Sequence, residues 1–309
     1  MTAQLTLRLT TWSKEAPADD WASLRTMARA ADAAGVDRLV LSDHVVMGEA
    51  LDAYGDPAKG GQTGGRQPTG PDGHWLDPLA VIAHLSALTE RVRFGTNILL
   101  AALRRPVVLA GQCSTIDVLS DGRLDLGVGV GWQREEYEAA GLDYRERGRL
   151  LDHTLDVCRT LWTEDVADHD SPELHFERIH QQPKPRQSGG VPIWVSGTVN
   201  ARSMRRLATF GSGWIPWGAD AADLAASIGR MRAAVAEHGR DPAGIGVVGS
   251  LRVVTNDDGS IDAPATVAGV RDGIAAGVTS FHAGVAIPPE HDAAVEVLEP
   301  LVAAFRSVS

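Results

Sequence analysis

The sequence predicts an α/β fold: a (β/α)8 TIM barrel of eight parallel strands, each followed by a helix. Three observations carry that expectation. Apolar, strand-length runs alternate eight times with amphipathic, helix-length segments, the rhythm of a parallel sheet. Several runs are apolar on both faces, as strands enclosed by helices must be. The chain has 309 residues, enough to bury about 75% of its unfolded surface without disulfide or metal support. A single barrel domain over residues 1–309 is expected, with an open doubly wound sheet as the architecture that shares the same alternation.

Strand one is read at Leu5–Thr10, where apolar and polar residues alternate. Trp21, Leu24, Met27, Ala28 and Ala31 then recur at helical spacing within Asp20–Ala34, and Gly35 supplies a C-cap. Arg38–Ser42 is strand two. Asp77–Thr89 is a helix with Pro78 in its first turn. Arg91–Leu99 is strand three and Val107–Leu119 its helix. Arg123–Gly131 is strand four, followed by helical Arg134–Glu138 and Arg147–Trp162. Pro192–Gly197 is strand five, with Ala201–Phe210 after it. Trp214–Trp217, Ile245–Val254 and Thr279–Ala286 complete the strands. Their helices are Ala222–His238, Ala265–Ala276 and Asp292–Arg306.

Two segments interrupt the alternation. Ala53–His74, after strand two, is rich in Gly and Pro and excludes regular structure. Thr163–Gly190 precedes strand five. Insertions of this length in a compact domain are lids, binding loops or surface excursions.

Composition narrows the function classes. A net charge of -11 without a local basic stripe argues against nucleic acid and anionic membranes as partners. Cys113 and Cys158 fall on helices and form no CxxC, so neither a zinc knuckle nor a disulfide framework is expected. No basic region followed by an apolar stretch opens the chain, and no apolar run reaches eighteen residues. A cytoplasmic protein is the expectation.

Barrels of this kind place their chemistry at the C-terminal strand ends. At the end of LVLSDHV stand Asp43 and His44, a carboxylate and an imidazole terminating an apolar run. A metal site needs at least three ligands, and the chain has no HxH; His282 alone among the other histidines is clearly placed on a strand. No metal is expected. His44 either satisfies local backbone or moves a proton near neutral pH. In LGVGVGW, ending at Trp132, Gly129 and Gly131 fit either a crowded barrel wall or the close approach of a flat ring. The spacing matches neither a dinucleotide fingerprint nor a phosphate loop. Ser196, Gly197, Thr198 and Asn200 lead into a helix, whose N-terminus is either a phosphate site or an ordinary N-cap.

Together these segments resemble the luciferase-like monooxygenase superfamily, most specifically through TERVRFGTNILL, RRPVVLAGQCSTIDVLSDGRLDLGVGVGW, REEYEAAG and PIWVSGTVNARSMRRLATFGSGWIP. The resemblance implies a flavin or deazaflavin cofactor. Ser42-Asp43-His44 resembles the branches that use coenzyme F420, whereas FMN-dependent branches often carry Glu-His-His there. It further implies that Asp43 and His44 lie near the ring, with His44 as catalytic proton donor. Asn97-Ile98 matches a position that often holds a cis peptide behind the ring. Ser196, Gly197, Thr198, Asn200 and Ala201 match the phosphate segment, and Glu135 a polar cofactor contact. Trp132 stands where the sugar-phosphate dehydrogenase branch has an acid, so that activity is not expected; Trp132 is instead expected to stack on the ring or wall the substrate pocket.

The expectation is an F420-dependent oxidoreductase acting on a small organic substrate. The alternatives are an FMN-dependent, O2-using monooxygenase and a non-catalytic flavin-binding barrel. A homodimer and a flavin or F420 reductase partner follow from the resemblance alone.

Overall fold

The computed structural model describes residues 2–14, 21–59 and 61–309. Eight strands close into a parallel barrel: β1 (Gln4–Leu9), β2 (Arg38–Leu41), β3 (Arg93–Thr96), β4 (Leu124–Val128), β5 (Ile193–Gly197), β6 (Gly211–Pro216), β7 (Gly246–Ser250) and β8 (Ser280–Ala283). Each pairs with its chain neighbours, and β1 pairs with β8 to complete the ring. The helices are α1 (Ala22–Ala34), α2 (Pro78–Ser86), α3 (Pro106–Leu119), α4 (Arg134–Ala139), α5 (Arg147–Thr163), α6 (Ala201–Phe210), α7 (Ala219–Ala222), α8 (Leu224–Glu237), α9 (Ala263–Val267), α10 (Val270–Ala276) and α11 (His291–Val308). Among the described residues, no helix is long and apolar enough to cross a membrane.

Local chemistry sets the element ends. Gly35 stops α1 in a left-handed conformation, with φ 84°. Asp77 caps α2 by accepting the Ala80 N–H. The start expected for α1, Asp20, lies outside the described residues, as does Gly60 of the first insertion. The long helix expected at 265–276 is two pieces, because Gly269 caps α10 rather than continuing α9. Strand β7 is shorter than its apolar run, which extends to Val254. Beyond Ser250 the chain turns away until Val254 N–H bonds Thr266 Oγ1 at 2.9 Å.

Both insertions are more ordered than their composition implies. In the first, Leu51–Gly55 and Pro57–Lys59 form 3-10 turns, and His74–Trp75 pairs with Trp12–Ser13. In the second, Ala167–Asp170 and His175–Ile179 form an antiparallel hairpin.

Along β1, Leu5, Leu7 and Leu9 join the apolar layer under the helices. Thr6 faces the other way, its hydroxyl 3.0 Å from Ser280 Oγ. The lumen is filled by side chains of alternate residues. Arg93 grips both oxygens of Asp125, at 3.0 and 2.8 Å, and Arg38 Nε lies 2.8 Å from the same carboxylate. The Arg38 guanidinium stacks on Trp194, 4.8 Å from the ring centroid. Gly213 and Gly246 make room for that indole: a Cβ on either would fall 2.2 or 2.7 Å from its ring atoms.

A second set of glycines decides the site's geometry. The Asn97–Ile98 peptide is cis, and the chain after β3 runs directly against β4. Leu99 N–H bonds Gly127 O at 2.7 Å, and Gly129 N–H bonds Leu99 O at 3.3 Å. A Cβ on Gly127 would sit 1.9 Å from Thr96 O. On Gly129 it would meet Ile98 Cδ1 at 2.8 Å, and on Gly131 Leu100 Cδ2 at 2.6 Å. The alternating glycines of β4 are thus demanded by the neighbouring strand end, the crowded-wall alternative.

Gly127→Ala is expected to cost about 3 kcal/mol or more, because the backbone oxygen it strikes has nowhere to go. Gly229→Ala, inside α8 where a Cβ meets nothing within 4 Å, should instead gain about 0.5–1 kcal/mol. Urea unfolding of the two variants checks both signs.

Candidate active site

The C-terminal strand ends surround a cavity of about 530 Å³. Of the residues singled out in the sequence, Asn97, Ile98, Gly129, Gly131 and Trp132 line it, with Ser196 and Gly197 at the opposite side. A second cavity of about 910 Å³ shares Ser196, Gly197, Gln62, Val130 and Trp217 with the first, and continues past Thr198 and Asn200 along the start of α6. The two form one continuous cleft. Its roof is the first insertion: Tyr144 Oη donates to Lys59 O at 2.8 Å and Trp217 Nε1 to Gly61 O at 3.2 Å.

Asp43 does not line this cleft, contrary to expectation. Its carboxylate is buried and fully occupied. Arg104 donates to both of its oxygens at 2.7 and 3.1 Å, and the Leu100 N–H bonds Oδ2 at 2.9 Å. Arg104 also reaches Asp77 Oδ2 at 2.7 Å, tying in the start of α2. Asp43 is therefore a structural clamp between β2, the chain after β3, and α2.

His44 is held by an acid that the sequence reading passed over. Its Nδ1 lies 3.2 Å from Glu136 Oε1, which also accepts the Val45 N–H at 3.0 Å. With Nδ1 engaged by Glu136, Nε2 is the ring nitrogen without a hydrogen-bond partner among the described residues. Two indoles meet the imidazole edge-on, Trp75 at 4.6 Å and Trp132 at 6.1 Å between centroids. His44 stands behind Trp132 rather than on the cavity wall. Glu135, expected as a polar contact, packs instead over Gly48, where a Cβ would lie 2.5 Å from its Cγ. The acid of α4 that meets His44 is its buried neighbour, Glu136.

At the other end, Asn200 is an N-cap. Its Oδ1 accepts the N–H groups of Arg202 and Ser203, both at 3.1 Å, while its amide donates to Thr198 Oγ1 and Ser203 Oγ at 3.0 Å. Those two backbone donors are therefore taken, and Ala201 only begins the helix. Anion-binding capacity comes from arginines instead. Arg145, Arg147, Arg202 and Arg206 line the larger cavity, and no Asp or Glu does. Arg206 is neutralised by Asp152 at 2.5 Å. Arg147 stacks on Tyr144, 3.9 Å from the centroid, and its buried Nε has no hydrogen-bond partner.

Two further residues on the cavity wall were not read as site residues. Arg8 on β1 lines it, as does His282 on β8. The alternation of Leu5, Leu7 and Leu9 already placed Arg8 on the lumen side. His282 is buried, and neither of its nitrogens has a partner. Burial, then the charges of Arg38 and Arg8, push its pKa down to about 3.

This histidine gives a signed pH dependence. The unfolded chain takes up a proton on His282 below its ordinary pKa of about 6.5, and the folded protein does not. Its contribution therefore holds above that pH and is lost progressively as pH falls toward 3. Between pH 7 and 5 wild type should lose about 2 kcal/mol more than His282→Asn does. Equal losses in urea unfolding at the two pH values would refute this reading.

Comparison with known proteins fits this architecture. The sequence profile of the luciferase-like monooxygenase family matches residues 4–260. An uncharacterized Mycobacterium tuberculosis protein is 33% identical over 140 residues, 45% of this chain and 49% of that protein. The chain's match thus spans about half the length of this curated relative. The oxygenase component of a flavin-dependent trigonelline monooxygenase from Acinetobacter baylyi is 34% identical over 122 residues, 39% of this chain and 34% of that one. Among solved structures, an F420-dependent secondary alcohol dehydrogenase in complex with an F420-acetone adduct superposes with a TM-score of 0.74 at 16% identity, covering 99% of this chain and 100% of that chain. With that match running from β1 past β7, over most of a closed eight-stranded barrel, the chain belongs to the luciferase-like monooxygenase family.

Proposed function

We propose that this protein is an F420-dependent oxidoreductase that transfers hydride between the deazaflavin and a small organic substrate. The observation that carries the reading is the cleft itself. It joins a cavity walled by Ile98 and Trp132 to one lined by Arg145, Arg147, Arg202 and Arg206 with no acid on its wall. A flat ring with a phosphate-bearing tail fits that chemistry. The orphaned Nε of Arg147 is a buried donor suited to such an anion. When bound, the deazaflavin supplies the hydride chemistry.

The chain's own residues supply the rest. Arg147 and Arg202, with Ser196 and Thr198, hold the tail. The wall of Ile98 and Trp132 orients the ring, and the roof over the cleft excludes water. Glu136 fixes the His44 ring through Nδ1, and because His44 stands behind Trp132 its Nε2 would exchange the proton that accompanies hydride transfer through a bridging water rather than by direct contact. Ser42-Asp43-His44 supports the deazaflavin over FMN. Because His also ends the Glu-His-His of FMN branches, the support from this motif rests on Ser42 and Asp43.

A second reading, an FMN-dependent monooxygenase served by a flavin reductase, is favoured by the likeness to the trigonelline oxygenase component. We further propose a homodimer. On α3, Val107, Val108, Val118 and Leu119 expose 40, 58, 41 and 69% of their surface along one side, an apolar face that a second copy would cover.

Arg147→Met should weaken cofactor binding by about 10- to 100-fold, the worth of a charge-assisted hydrogen bond. His44→Gln and Glu136→Gln should leave cofactor affinity within about threefold while slowing cofactor reduction by about 100-fold or more. Fluorescence titration and anaerobic single-turnover absorbance measure the two effects. Unchanged reduction rates would remove His44 from the proton path.

A further inference from the structure

The smaller cavity contains a charge and an imidazole that the cofactor reading leaves unused. Arg8 reaches the cavity from β1, and its guanidinium makes no hydrogen bond or ion pair among the described residues. Nearby acids are committed elsewhere: Asp125 to Arg38 and Arg93, Asp43 to Arg104, Glu136 to His44. His282 lines the same cavity from the adjoining strand, only 3% exposed, with both ring nitrogens unpartnered. A buried polar group without a partner is costly, and its neighbours offer none. Tyr54, Gln62, Asn97, Ser196 and Ser250 also line this cavity, and the Tyr54 hydroxyl takes a hydrogen bond from Gln62 Nε2 at 3.3 Å. Around them the wall is apolar, with Trp132, Ile215 and Val248, and no carboxylate lines the cavity.

We infer that Arg8 and His282 form the substrate-recognition site and that the substrate is an organic acid. Its carboxylate sits against Arg8 and accepts a hydrogen bond from His282, while its apolar body lies against Trp132 and Ile215. A neutral imidazole donates one N–H and a guanidinium two, which satisfies a planar carboxylate and gives the buried His282 the partner it lacks. An alkane of the same shape would leave the buried His282 nitrogens unsatisfied and displace water from the exposed Arg8 guanidinium without replacing its hydrogen bonds, so the site discriminates by what the wrong ligand leaves unsatisfied. This inference rests on reading the cleft as a joint cofactor and substrate site. The same planar oxyanion chemistry could be offered by the ring of a reduced cofactor, and the test separates the two sources.

Calorimetric titration of three acid–amide pairs decides it: benzoate and benzamide, cinnamate and cinnamamide, hexanoate and hexanamide. Each is measured with the protein alone and with the protein saturated by F420 or FMN. Wild type should bind at least one acid about 10-fold or more tightly than its amide. Arg8→Gln should erase that preference, and His282→Asn should reduce it, while cofactor affinity moves less than about threefold. The inference is overturned if no pair favours the acid, or if the preference survives Arg8→Gln. It is equally overturned if Arg8→Gln lowers cofactor affinity 10-fold, which would assign the guanidinium to the ring. Acid preference that depends on Arg8 in a protein binding neither cofactor would keep this site and defeat the deazaflavin reading instead.

Discussion

The Asp43 carboxylate fixes the relative position of three chain segments, and the cleft is built on their ends. Asp43 terminates β2, receives the Leu100 N–H from the chain after β3, and binds Arg104, which in turn holds the capping residue of α2. With Leu100 fixed, Ile98 and Leu100 face Gly129 and Gly131, and the two chain segments lie as close as glycine permits. Removing one partner of such a buried pair typically costs about 3–5 kcal/mol, because the other charge is left without compensation. The same clamp places His44, one residue on, where Glu136 can reach it. The Ser-Asp-His sequence thus divides its labour: the carboxylate builds the frame and the imidazole is presented by it.

Electrostatics in the cleft run against the protein as a whole. A chain with a net charge of -11 lines its central cleft with arginines and keeps acids off both cavity walls. Field lines concentrate in clefts with low-dielectric walls, so local charge rather than net charge governs what enters. The arginines are used in two ways. Arg38, Arg93, Arg104 and Arg206 are matched by carboxylates and hold the barrel together. Arg8 and Arg147 line cavities and have no carboxylate partner among the described residues, and these are the ones to which we assign anion binding.

Much of this was legible in the sequence, and the parts that were not have identifiable causes. The eight alternations, the α6 boundaries and the cap at Gly35 follow from local periodicity and backbone preference. The run ending near Leu99 looked like one strand, yet β3 stops at Thr96 because the chain bends at Asn97–Ile98 to run against β4. Glycine spacing in β4 was visible, but its cause was not, since Thr96, Ile98 and Leu100 meet it only in the closed sheet. Asp43 was recognised as special, while its partner Arg104 lies 61 residues away, beyond any local pattern. Glu135 was named through the resemblance alone, whereas the contact of Glu136 with His44 depends on helix phase, since only the buried face of α4 turns toward His44. Arg8 was available from alternation along β1 and was passed over because a lone arginine on a strand carries no motif.

Which cofactor the cleft selects is the claim on which the account depends most. Equilibrium titration of the purified protein with F420 and with FMN, followed by quenching of cofactor fluorescence, tests it directly. The account predicts saturable binding of F420 at least about 10-fold tighter than FMN. Tighter binding of FMN would contradict it and make the chain a flavin-dependent oxygenase component.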